Sequence, residues 1–174
     1  MLSIDIANLF IVRHGKDLRP TNLSLNKLVY YAQAESLREG AGPLFSDNIE
    51  AWDYGPVEPA VYRAFKSWGR SVITEPTAQV AASSAEMSHA SSIVDAVADT
   101  FGALSAFDLV EFSHREGGAW HNCYKPGRNA VISPEDIASS SDCQGELSFA
   151  GTLLEGIRSA EEKWPNTLRM LEDA

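Results

Sequence analysis

The sequence predicts a mainly α fold: a compact helical domain with one short β element and a C-terminal helical extension. Three observations lead there. Apolar residues recur at helical spacing through most of the chain. One stretch, residues 49–54, alternates in the manner of a strand. Glycine and proline clusters at 40–43, 55–56 and 117–118 punctuate the segments.

Taken in order, residues 3–15 form a first helix, with Arg13 and His14 as cations in its last turn and Gly15 at its C-cap. Residues 24–39 form a second. Leu25, Leu28, Val29, Ala32 and Leu37 mark its apolar face, Ser24 is available as N-cap, and Gly40, Gly42 and Pro43 stop it. The strand at 49–54 is broken by Gly55-Pro56. Glu58-Pro59 then starts a helix with Val61, Tyr62, Phe65 and Trp68 on one face and Gly69 at its end. Residues 74–92 are poor in large apolar side chains and read as a loop leading into a helix whose face is Ile93, Val94, Val97 and Phe101. Ser105 caps the next helix, which carries Leu109, Val110 and His114 and ends at Gly117-Gly118. Ser133-Pro134-Glu135-Asp136 is a further helix start.

A length of 174 residues suits one domain, placed at 1–140, and 44% hydrophobic residues suffice for a core without disulfide or metal. Residues 141–174 read as a linker, SSSDCQG, and a C-terminal helical segment interrupted at Trp164-Pro165. No apolar run is long enough to span a membrane, and MLSIDIANLF lacks the basic start of a signal peptide. With Cys123 and Cys143 as the two cysteines, a cytoplasmic protein is expected.

The net charge of −10 is unevenly placed. Residues 1–72 hold 8 basic and 8 acidic side chains, whereas residues 73–174 hold 6 and 16. Such a surface repels phosphate backbones, so direct nucleic-acid binding is not expected, and its field favours a basic partner surface. The same charge also serves solubility.

Three stretches carry a resemblance. TNLSLNKLVYYAQAESL at 21–37, PLFSDNIEAWDYGPVEPAVYRAFKSWG at 43–69 and FGALSAFDLVEFSHREGGAW at 101–120 agree in order and spacing with the SocA-like antitoxin (Panacea) family, which includes phage-associated proteins. The chain resembles that family over residues 2–140. Its motif residues fall here on Gly55, Pro56, His114 and Trp120. The match departs from the pattern at Glu35-Ser36, where an aromatic is common, and at Ser113, where Thr is. The resemblance implies a protein that neutralises a toxin encoded nearby, by occlusion or by delivery to a protease, with no cofactor and no catalysis.

The residues expected to touch a partner are Lys27, Tyr31, Gln33, Trp52, Tyr54, Tyr62 and Trp68. Trp52, Tyr54, Tyr62 and Phe65 either pack around the strand-to-helix turn or form a shallow anchor pocket, since aromatic side chains dominate both cores and interface hot spots. His114 is expected on the apolar face of its helix near the C-terminus, hydrogen-bonded to buried carbonyls. Ser113 and His114 are helix neighbours and point apart, so they do not read as a catalytic pair. His114, His121 and Cys123 lack a fourth ligand at metal-site spacing, and no metal is expected.

Two other function classes remain open. LFIVRHGKD at 9–17 is similar to the Arg-His-Gly signature of histidine phosphatases, which would make His14 a nucleophile and Arg13 a phosphate clamp. That fold needs an apolar strand delivering the histidine and several more strands between helices, and a second phosphate-binding arginine is not evident. A prophage accessory protein that inhibits a host protein would share the antitoxin's physics.

Overall fold

The computed structural model describes residues 1–77 and 84–144. Its centre is a single helix. α2 (Asn22–Arg38) is packed by α1 (Ser3–Leu18), α3 (Pro59–Ala64), α4 (Ser84–Phe101), α5 (Ala106–Ser113) and α7 (Pro134–Ser139), and by the strand β2 (Gly55–Val57). Almost every side of α2 is therefore interior. Leu25, Leu28, Val29, Tyr30, Tyr31, Ala32 and Ala34 are buried, and so are Asn22, Asn26, Lys27, Gln33 and Ser36. Buried polar groups need partners, and backbone groups of neighbouring elements supply most of them here. Gln33 accepts from the amides of Leu44 and Phe45 and donates to the Phe45 carbonyl, which pins the loop after the helix. Asn26 accepts from the Glu58 amide, and Ser36 donates to the Gly42 carbonyl.

Three helix ends differ from expectation, and one is the start of α4, which begins at Ser84 within the 74–92 stretch expected to be a loop. The N-cap of α2 is Thr21, not Ser24. Ser24 is the third residue of the helix and closes a reciprocal box with Thr21. α1 runs through Gly15 to Leu18, and the left-handed residue is Arg19, with φ 44°. Arg13, His14 and Gly15 are thus within the helix. Three starts are as the sequence reads: Glu58 caps α3, Ser105 boxes with Asp108 on α5, and Ser133 boxes with Asp136 on α7.

The β element is larger than one strand. β1 (Ile49–Trp52) pairs antiparallel with β2 on one side and β3 (Ala130–Ile132) on the other, giving the order β2-β1-β3. Gly55-Pro56 does not end the strand region but is the second strand. Pro56 lies opposite Ala51 on an edge, where a missing N–H is tolerated. A 3-10 turn at Lys66–Trp68 continues α3 to Gly69, and the short α6 (Ala119–Cys123) follows Gly118.

The body also runs past residue 140. The SSSDCQG segment is not a free linker over its described part: the Ser141 amide donates to the Gly117 carbonyl, and Asp142 is buried. Asp142 accepts from the Tyr30 hydroxyl, from Arg115 Nη2 at 2.9 Å and from the Ala119 amide at 2.8 Å. It ties α2, the end of α5 and the start of α6 together. The expected C-terminal helical segment lies outside the described residues.

Candidate functional site

The three resembling stretches are far apart in sequence and meet around the β1–β2 turn. Lys27 extends from α2 so that its Nζ donates to the Pro56 carbonyl at 2.9 Å. Gly55, at φ 98°, sits so close that a Cβ there would lie 2.5 Å from Ser113 Oγ and 2.7 Å from Lys27 Cε. Glycine is needed at this point both for the backbone angle and for the approach of two side chains. On the other side the Trp120 indole donates to the Trp52 carbonyl at 2.8 Å, and its ring stacks on His114 at 3.7 Å and on Tyr124 at 4.5 Å.

Above this junction opens a groove of about 480 Å³, walled by Trp52, Tyr54 and Tyr62, with Lys27 below and Lys66 at the side. Trp52 meets Tyr62 edge to face at 4.9 Å. Tyr54, at the tip of the turn, is 71% exposed. Asn22, Leu23, Asn26, Asp53, Val57, Gly69, Gly127 and Asn129 complete the lining. The groove is amphipathic: aromatic walls, a polar far side, and a cation at the rim.

Lys27 is fully buried, and the only hydrogen bond it makes among the described residues is to Pro56. Burial without a carboxylate partner disfavours its charged form and lowers its pKa to about 7. His114 is held below the ordinary histidine range by burial and by the nearby Lys27 charge.

The expected partner-binding residues separate into two groups. Trp52, Tyr54 and Tyr62 line one groove. Lys27, Tyr31 and Gln33 cannot form an exposed contact face, because α2 is enclosed. Tyr31 stacks on Phe101 at 4.3 Å, Gln33 holds the 44–45 loop, and Lys27 touches the groove only as its floor. Trp68 packs partly against the core, away from the groove lining. His114 also differs from expectation: it is the C-cap residue of α5, and its Nε2 has no hydrogen-bond partner among the described residues, so ring stacking holds it. Ser113 donates to the Val110 carbonyl at 2.7 Å and is not paired with His114. Sequence reading missed Lys66, Gly127 and Asn129, which reach the groove only through the 3-10 turn and the connection before β3.

The residues of the phosphatase signature are arranged differently from what that chemistry requires. His14 lies on a helix rather than at the end of a strand, and its Nε2 is 2.7 Å from Asp95. Arg13 makes a two-pronged pair with the same carboxylate, at 2.9 and 2.6 Å, which holds Asp95 below the usual carboxylate range. Arg13 and His14 bind α1 to α4.

A family model described as "Antitoxin SocA-like, Panacea domain" matches residues 25–121. These limits enclose Lys27, the β1–β2 hairpin, Tyr62, His114 and Trp120. The chain belongs to the SocA-like antitoxin family. Antitoxin SocA of Caulobacter vibrioides (strain NA1000 / CB15N) is 32% identical over 124 residues, covering 66% of this chain and 66% of that protein, just under two thirds of each. No solved structure matches the chain. No described helix is long and apolar enough to cross a membrane.

Proposed function

We propose that this protein is an antitoxin that binds a partner toxin and blocks it without catalysis, and that the Trp52–Tyr54–Tyr62 groove is where the partner is held. One observation carries the reading: family-matched segments from α2, the β1–β2 hairpin and α5–α6 converge beneath a groove whose rings are not enclosed by the fold. Lys27, Gly55 and Trp120 form the support, and Trp52, Tyr54 and Tyr62 form the contact. Large aromatic side chains in a partly open groove are the usual anchors of a protein interface. Occlusion is the mechanism this arrangement favours, because the groove sits on a junction already tied by the Lys27–Pro56 and Trp120–Trp52 hydrogen bonds and the close approach at Gly55.

The test is growth rescue. Each gene flanking this one is induced alone and then with this chain. A neighbour that stops growth alone and is harmless in company supports the reading. If every neighbour is harmless alone, or stays toxic in company, the antitoxin proposal fails.

A further inference from the structure

The protein is strongly acidic, yet the surround of its aromatic groove is basic. Of 14 Lys and Arg residues, five stand on or beside the segments that line it: Arg63, Lys66 and Arg70 on α3 and the following turn, Lys125 and Arg128 on the turn before β3. All five are exposed. None of them forms an ion pair among the described residues. Residues 59–74 contain no acidic side chain. One acid, Asp53, lines the groove itself and Glu50 stands beside it on β1, and each is hydrogen-bonded by a ring of the same face: Trp52 Nε1 donates to Glu50 at 2.7 Å and the Tyr124 hydroxyl to Asp53 at 2.9 Å. The basic end of α1 makes a useful contrast. There Asp17 is interleaved with Lys16 and Arg19, Arg13 is already paired with Asp95, and the lining holds no aromatic ring.

The geometry points to the groove as the docking site for an acidic polypeptide segment that inserts one apolar or aromatic side chain between Tyr54 and the Trp52–Tyr62 pair, its flanking carboxylates meeting Lys66, Arg128 and their basic neighbours. This names the partner's chemistry at the site and rests on the antitoxin reading above. The exposed charges on the segments beside the groove are mostly of the sign opposite to the net charge. Charges more than about 8–10 Å away are screened at physiological salt, so a short acidic segment meets the basic rim rather than the molecule's average. The ring arrangement also argues for peptide: single-strand binders offer successive open rings for stacking, whereas Trp52 is already met edge to face by Tyr62. A cavity of about 480 Å³ is within the range that takes a small ligand or a few side chains.

The experiment is fluorescence anisotropy on the full chain with three labelled probes: a synthetic peptide with Asp and Glu flanking a central Trp, the same peptide with Gln at every acid, and a single-stranded oligoribonucleotide of the same charge. The acidic peptide binds saturably, weakens with salt, and loses at least about tenfold in affinity with Lys66→Glu/Arg128→Glu and with Tyr54→Ala, all exposed positions. No saturable binding, equal binding of the Gln peptide, unchanged binding by the variants, or tighter binding of the oligoribonucleotide overturns the proposal. Growth rescue separates this from the antitoxin reading. Full rescue by Lys66→Glu/Arg128→Glu overturns the docking surface alone. Peptide binding without any rescue by the wild type removes the antitoxin reading and leaves the surface standing.

Discussion

Lys27 shows what a single residue does in this fold. Its ammonium would be buried against one carbonyl, so the folded protein releases its proton near pH 7, while an unfolded chain holds it to about 10.5. Between those values the unfolded state binds the extra proton, and stability therefore rises with pH, by at most about 1.4 kcal/mol per unit. Cys143 opposes this from about pH 9, because burial raises its folded pKa to about 11 and the unfolded thiol ionises first. Tyr30 and Tyr31, pushed well above 10 by burial, add to the loss at higher pH. Thermal melts of wild type and Lys27→Met from pH 6 to 10 check this. The wild type gains on the variant from about pH 7 to the end of the range at pH 10, since Cys143 and the tyrosines are common to both, and parallel curves would show that Lys27 is not buried as a neutral amine.

At the scale of elements, the tie made by Asp142 is the feature whose removal should be felt across several helices. Asp142→Ala leaves the Tyr30 hydroxyl, the Ala119 amide and the Arg115 guanidinium without their shared acceptor. Losing one partner of a buried ion pair costs about 3–5 kcal/mol. Urea denaturation should show that loss with little change in slope, and a loss under about 1 kcal/mol would mean the segment after α7 is not held as described. This tie also shows where sequence reading stops. The caps at Glu58, Ser105 and Ser133 were legible because each depends on residues within three positions. α1, α2 and the second half of α4 were legible from apolar spacing, whereas the first half of α4, poor in large apolar side chains, read as loop. A serine-rich segment that places one aspartate under a tyrosine 112 residues away has no local pattern to read. The same holds for β3, three residues whose partner is β1, far back in the chain. α2 misled for a related reason. Lys27, Tyr31 and Gln33 have the polarity of a contact face, but periodicity registers polarity and not whether a buried backbone group awaits it. The aromatic cluster was legible as a cluster, and only packing decided that Trp68 turns to the core while Tyr54 stays out.

In the whole molecule an enclosed support stands apart from an open contact surface. The support is α2 with the backbone groups it satisfies. The surface is the hairpin tip, α3 and the basic turn before β3, and its charge runs against that of the chain as a whole. Changes on the surface should therefore alter binding without altering the fold. Tyr54 and Val12 offer a matched pair, since both are apolar and exposed, at 71% and 66%, and Val12 lies on α1 outside the groove. The most direct measurement is growth rescue from the partner toxin by wild type, Tyr54→Arg and Val12→Arg, with a thermal melt of each. All three should melt within a few degrees of one another, wild type and Val12→Arg should rescue fully, and Tyr54→Arg should not. Full rescue by Tyr54→Arg, or its loss together with a collapsed melt, would contradict that separation of support and surface.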